Sequence, residues 1–385
     1  MCSILVFRGS WNISQESFLE NSEVVSNLRL RASYGTTGNQ DGIGNFQSYG
    51  LYSTNSYGGT QGLAVSQLAN PDLKWELSSQ ANVGFDFGFL KNRISGTLDL
   101  YNNITSDLFV SYQLSRTTGF TQILSNEGEM RNRGIEFSIN VDVLTIGNFN
   151  WNVGGNIAYN DNEILDLGQV NEFEQGTSII RVGLPLGSHY IVEWAGVNPS
   201  NGEPLYRDLE GNVTNVFDAS NSKAIFGTST PPTTGGFTTE WSYKGLSLSA
   251  FFTFAQGYSR FNNQTFFQEN PNFAQFNLSS IMNTMWKEPG DITEVQSFRY
   301  QRQFSSKDIE DASYLRLRNV RLNYNLPSSL LNRTGFLKQA SIFAQGQNLF
   351  TWTEFTGFDP EDDNNIAQYE YPASKVYTVG LNVKF

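Results

Sequence analysis

The sequence predicts an all-β protein: part of an antiparallel transmembrane β-barrel of about ten strands, with short periplasmic turns and long extracellular loops. Three observations carry this reading. Short stretches alternate apolar and polar side chains with period two, as half-buried strands do. The connections between those stretches alternate between short and long. No stretch approaches the roughly 18 consecutive apolar residues of a spanning helix, so a chain that crosses a membrane must do so with strands.

Composition agrees. The 385 residues include 35 Gly, 30 Phe and 17 Tyr, with only 16% charged side chains and a mean hydropathy of −0.36. Such usage suits strands and turns and leaves little helix to expect. A net charge of −12 argues against binding nucleic-acid phosphate. One cysteine, Cys2, permits no disulfide within the chain, and one histidine, His189, permits no two-histidine metal site.

The strands follow in order. Leu28–Tyr34 alternates before a Gly/Ser/Asn/Tyr-rich segment reaching about Lys74, which reads as a loop. Val83, Phe85, Phe87 and Phe89 share one parity; after Leu90-Lys91-Asn92, Ile94, Leu98 and Leu100 return, forming a hairpin. Missing alternation then predicts a loop of roughly twenty residues that passes through Thr117-Thr118-Gly119-Phe120 and ends near Arg131. Ile135, Phe137, Ile139, Val141 and Val143 then oppose Glu136, Ser138, Asn140 and Asp142. Beyond the Ile146-Gly147-Asn148 turn, Trp151, Val153, Ile157 and Tyr159 oppose Asn150, Asn152 and Asn156. So many charged and amide groups on one face require water there.

An irregular region runs from about Asn160 to Gly235. Phe237–Tyr243 and Leu246–Phe254 form the next hairpin around Lys244-Gly245. A second long loop, from Gln256 to about Ala312, carries Phe261, Phe266, Phe267, Phe273, Phe276 and Trp286. In Tyr314–Leu326 the apolar parity slips from odd, Leu315 and Leu317, to even, Val320 and Leu322, which predicts a β-bulge near Arg318-Asn319. Ala340–Phe350 follows, then a loop from Thr351 to Ser374 and the terminal strand Lys375–Phe385. Tyr34, Trp151, Tyr243 and Tyr324 fall where interfacial aromatic girdles belong. A soluble β-sandwich also alternates faces, yet sandwiches do not sort short and long connections so strictly. On the barrel reading Phe137, Ile139, Val141, Phe252, Leu381 and Val383 point away from the lumen.

Several segments resemble a known family. Asn70-Pro71-Asp72-Leu73-Lys74-Trp75-Glu76, Asn132-Arg133-Gly134-Ile135-Glu136, Gly196-Val197-Asn198-Pro199, Ala312-Ser313-Tyr314-Leu315-Arg316-Leu317-Arg318-Asn319, and Gln347-Asn348-Leu349-Phe350 with Phe358-Asp359-Pro360-Glu361 are similar to the carboxy-terminal barrel of SusC/RagA-type TonB-dependent transporters of Bacteroidota. The resemblance covers nearly the whole chain in family order. It implies a large barrel of the outer membrane, in contact with its lipid. It also implies import of an oligosaccharide or peptide with a SusD-like surface lipoprotein, and a terminal Phe385 that serves barrel assembly. No signal, TonB box or plug is read within the 385 residues, so the chain is expected to be the carboxy-terminal part of such a barrel, coupling to the TonB system only through an amino-terminal part.

Candidate sites lie in the loops. Aromatic faces stack on sugars or peptide side chains, which nominates Tyr49, Tyr52, Tyr57, Phe266, Phe267 and Trp286 as substrate contacts, with packing of the loops or contact with the lipoprotein as the alternative for each. Glu361-Asp362-Asp363, the pair Glu172 and Glu174, and Asp208 with Glu210 and Asn212 are carboxylate clusters that read more simply as solvated loops and a turn. No catalytic residue, metal site or cofactor is expected, and the competing class of function is a soluble or secreted β-rich glycan-binding module.

Overall fold

The computed structural model describes residues 5–273, 275–333, 335–361 and 365–385, with Tyr112 and Gln113 described by their backbone alone. Cys2, Asp362 and Asp363, considered above, lie outside these residues. One antiparallel sheet of eleven strands organises the chain, and each strand pairs with its neighbours in sheet order. We number the strands β1 Val6–Asn12, β2 Val25–Asn39, β3 Glu76–Phe89, β4 Ile94–Gln113, β5 Gln122–Ile146, β6 Phe149–Leu167, β7 Thr233–Tyr243, β8 Leu246–Gln256, β9 Tyr314–Asn325, β10 Gln339–Thr353 and β11 Val376–Lys384. The expected count of about ten is corrected to eleven. The additional strand is β1, whose sequence V-F-R-G-S-W-N breaks alternation with Gly9 and Ser10 and is placed only by its pairing with β2.

Register shows why this sequence makes a two-faced sheet. Leu28, Phe87, Gly96, Ile139, Gly155, Phe237, Phe252, Leu317 and Phe350 stand side by side across nine strands. The ring of Phe87 lies across Gly96, where any Cβ would meet it at 2.6 Å. One residue away, on the opposite face, Arg29, Asp86, Thr97, Ser138, Asn156, Gly236, Thr253, Arg316 and Thr351 form the matching row. Phe137, Ile139, Val141, Phe252, Leu381 and Val383 all fall on the apolar face, as expected of residues that meet lipid. Strands β7 and β8 have 11 residues each, the length a tilted strand needs to cross a bilayer.

Aromatics mark the edges of the apolar band. Trp151 and Trp241 stack at 6.4 Å near the short-turn end, next to exposed Tyr243 and Tyr324, while Tyr34 lies toward the other end. The polar face is held by ionic contacts between strands. Arg29 and Arg31 both reach Asp86, at 2.5 and 2.8 Å, and Arg31 also reaches Asp99 at 3.0 Å. In the 244–245 turn, Lys244 and Gly245 both have positive φ, the geometry whose twist matches paired antiparallel strands.

Three expected loops are revised. β4 and β5 continue well past the apolar band and leave only 114–121 as their connection, where a loop ending near Arg131 was expected. Alternation fades there because strands that rise beyond lipid no longer divide one wet face from one dry face; a bulge around Asp107, at φ 57°, also interrupts it. Within 40–75 a separate hairpin pairs Leu51–Tyr57 with Thr60–Gln67. The 168–232 region contains short strands, among them Ile191–Val197 and Pro204–Arg207, which pack into a body on the long-loop side. The bulge near Arg318-Asn319 is present: Leu317 and Asn319 pair with consecutive residues, Phe252 and Phe251, so Arg318 is the extra residue.

The two faces make opposite demands. Phe237→Arg puts a charge in the middle of the apolar band and is expected to destabilise the folded sheet by about 2–4 kcal/mol. Thr238→Lys, on the polar face, is expected to leave it within about 0.5 kcal/mol. Urea unfolding in detergent micelles, followed by tryptophan fluorescence, measures the difference.

Candidate functional site

Residues of the last long loop, Asp359 and Glu361 among them, lie against the polar face of β7 to β9. The bulge at Arg318 turns Arg316, Arg318 and Asn319 toward that face within four residues. Arg316 is 3% exposed and fully engaged: Nε donates to Thr351 Oγ1 at 2.9 Å, Nη1 to Glu361 Oε2 at 2.7 Å, and Nη2 to Asp359. Arg318 donates from Nε to Thr253 Oγ1 at 3.0 Å and from Nη2 to Glu361. Two wall guanidinium groups thus hold two carboxylates of the 354–375 loop, in the planar, forked geometry that suits arginine.

The same loop is fastened at further points. Tyr258 donates its hydroxyl proton to Pro360 O at 2.8 Å, and Arg260 Nη1 donates to Asp359 O at 2.9 Å. Glu310 accepts from Thr356 N at 2.8 Å and from Asn262 Nδ2 at 2.8 Å. Ile366 and Ala367 pair in parallel with Phe261 and Asn262. Between this loop and the wall lies a cavity of about 980 Å³, with Arg316, Arg318, Phe251 and Thr253 on the wall side and Glu370 and Tyr371 on the loop side.

The 168–232 and 257–313 loops share buried polar contacts. Arg302 Nη2 donates to Asp308 Oδ1 at 2.6 Å, and its guanidinium lies 5.1 Å from the centroid of the Phe266 ring. Burial pushes the Asp308 carboxyl up to about 6 despite this partner. Tyr206, packed edge-on against Trp194 and Phe217, is pushed up to about 12 by burial. His189 is fully buried; its Nε2–H donates to Ser259 O at 2.9 Å, while its Nδ1 has no partner among the described residues. Burial holds its imidazole below the ordinary value. An imidazole with its one N–H given to a backbone carbonyl is a loop fastener.

The nominated aromatic residues separate into two groups. Tyr49, Tyr52 and Tyr57 are exposed on or beside the 51–67 hairpin, Tyr57 at 93%. Phe266 is buried and stacks on Phe304 at 3.7 Å, with Phe267 edge-on to it at 5.3 Å. Trp286 is buried, with Nε1–H donated to Pro199 O at 3.0 Å. Packing within the loop body therefore occupies Phe266, Phe267 and Trp286, the alternative weighed for them. Asp208 accepts from the backbone and the side chain of Asn212, which makes this cluster a closed turn. Glu172 pairs with Arg181 at 2.5 Å. Among the described residues no group of three or more acidic, histidine or cysteine side chains has the arrangement of a metal site.

The family model described as TonB dependent receptor-like, beta-barrel matches residues 10–349. The chain belongs to that family. It is 30% identical to the TonB-dependent receptor SusC of Bacteroides thetaiotaomicron over 97% of its own length, and 29% identical to the TonB-dependent receptor P39 of Formosa agariphila, also over 97%. The solved structure of the RagAB peptide transporter superposes on 99% of the chain with a TM-score of 0.93 and 34% identity. The protein is therefore a SusC/RagA-type barrel of the outer membrane. It spans 39% of SusC, 42% of P39 and 43% of the RagAB chain.

Sequence reasoning missed the guanidinium hub. Two signals pointed toward it, the parity slip at Arg318 and the Asp359-Pro360-Glu361 segment, but nothing in the sequence says that they meet. Arg316→Met leaves Asp359 without its guanidinium partner and Glu361 with Arg318 alone, and limited proteolysis in detergent is expected to cut 354–375 at least tenfold faster while β1 to β10 stay protected. The buried titratable groups predict opposite local responses to pH. The folded value of Asp308 lies above its ordinary 3.8, so its surroundings gain stability as pH falls through 6. That of His189 lies below 6.5, so its surroundings lose stability as pH falls from 6.5. Hydrogen exchange at pH 7 and pH 5, corrected for intrinsic rates, is expected to slow across 305–308 and to quicken at 188–190.

Proposed function

We propose that the chain forms wall, lumen face and external loops of an importer that carries an oligosaccharide or a peptide across the outer membrane, in company with a SusD-like lipoprotein. The single observation that carries this reading is the 0.93 TM-score superposition on a structure described as a peptide transporter, with 34% identity over 99% of the chain. The relationship to SusC supports the same reading. A continuous polar face opposite a continuous apolar face is what a barrel needs to bound a wet passage in lipid.

On this reading, the chain is the carboxy-terminal part of the barrel. Energy reaches the passage through the TonB system acting on an amino-terminal part of the transporter. The 168–232, 257–313 and 354–375 loops form the outer mouth, and the exposed tyrosines Tyr49, Tyr52 and Tyr57 stand where a lipoprotein or an arriving substrate meets the barrel. Phe266, Phe267 and Trp286 support that mouth from within.

Fractionation of the producing cell followed by affinity isolation in mild detergent tests the reading. The chain is expected in the outer-membrane fraction together with a lipoprotein encoded nearby, and deletion of its coding region is expected to abolish growth on one oligosaccharide or peptide source while growth on monomers persists. Recovery of folded chain from detergent-free soluble fractions, with unchanged growth on every source, overturns it and favours the binding module.

A further inference from the structure

The cavity between the 354–375 loop and the wall has a chemistry that selects among ligands. Its wall carries Phe251, an aromatic side chain on the polar face and 39% exposed. Phe251 sits there because β8 runs Ser247, Ser249, Phe251, Thr253 on that face, opposite Leu248, Ala250 and Phe252 on the other. Its ring leans over Gly236, where a Cβ would stand 3.2 Å from its Cε2; directly across from Phe251 is Thr238 on β7, and beyond it Gly154 on β6. A ring laid over a glycine and open in part to the cavity offers an aromatic face. Asn156, Thr234 and Thr253 surround it with amide and hydroxyl groups.

The charges beside this platform are already used. Arg316 and Arg318 are neutralised by Asp359 and Glu361, as described above, and Glu370 adds a further negative charge at the cavity margin. An anionic ligand would find no unpaired cation among these groups and would meet Glu370. Nor does the wall offer an unpaired strand edge: β7, β8 and β9 are hydrogen-bonded on both sides, so a peptide could not add to the sheet by its backbone. What remains is an aromatic face ringed by neutral donors and acceptors, which fits the apolar face and rim hydroxyls of an uncharged sugar ring.

From this, and resting on the reading of the polar face as a lumen, we infer that the cavity is a subsite for an uncharged sugar unit of an oligosaccharide. Phe251 is its stacking platform, and the Arg316–Glu361–Arg318 cluster discriminates against uronate and sulfate groups. Phe251 determines affinity; Glu361 determines charge selectivity by occupying both guanidinium groups.

The test uses the transporter complex purified in detergent from outer membranes, with binding followed by calorimetry. The probes are neutral gluco-, manno- and xylo-hexasaccharides, trigalacturonate and a neutral hexapeptide. At least one neutral hexasaccharide is expected to bind at least tenfold more tightly than trigalacturonate or the hexapeptide. Phe251→Ala is expected to weaken it roughly tenfold, and Phe251→Trp to restore it. Glu361→Gln frees an arginine and is expected to raise trigalacturonate affinity severalfold, with the neutral probe little changed. Tighter binding of the hexapeptide or of trigalacturonate to the unaltered protein overturns the inference, as does an unchanged neutral-probe affinity in Phe251→Ala. In either case outer-membrane location and growth dependence stand untouched, so failure of the subsite is distinguishable from failure of the transport reading.

Discussion

In hydrocarbon no water is present to satisfy a backbone amide, and each unpaired group costs several kcal/mol. That constraint governs this protein. It requires crossing strands to be hydrogen-bonded to their neighbours, as β2 to β10 are on both sides; that ladder fixes the register across the sheet, and register in turn sorts side chains into two faces. A one-residue slip would move Phe237 and Phe252 onto the polar face and Thr253 and Arg316 into lipid. The apolar row from Leu28 to Phe350 and the polar row from Arg29 to Thr351 are thus two consequences of one hydrogen-bonded ladder.

The only departure from strict alternation in β9 is where the wall takes hold of the last long loop. An extra residue at Arg318 brings the side chains of Arg316, Arg318 and Asn319 to one face. Those guanidinium groups anchor the 354–375 loop through Asp359 and Glu361, and the anchored loop creates the cavity. The ion pairs are sheltered by the loop they hold, so solvent screens them less than it would a surface pair. The wall is rigid because it is a ladder; the mouth is organised because buried polar residues such as His189 and Asn262 tie separate loops together, while Arg302 and Asp308 brace the 257–313 loop from within.

Legibility in the sequence followed from how local the cause of each feature is. The hairpins around Gly147-Asn148 and Lys244-Gly245 were legible because one-sided burial imprints period two and tight turns demand particular residues. The bulge was legible because a parity slip is itself local. β1 was not, since Gly9 and Ser10 erase its pattern, and neither were the upper halves of β4 and β5, which stand clear of lipid and carry no one-sided burial. Among candidate site residues, Tyr49, Tyr52 and Tyr57 are exposed as a binding role requires. Phe266 and Trp286 are likewise aromatic but are buried, a distinction composition does not record.

The sequence by itself determined the fold class, the two faces, the short and long sides and the kinship to SusC/RagA barrels, because each is written in neighbouring residues or in short motifs. Only the tertiary structure decided which loop residues are support and which are surface, and which charges are spent. Arg316 and Glu361 are 45 residues apart, and His189 and Ser259 are 70 apart. Contacts at such separations depend on where the ladder places its loops, so no local pattern announces them.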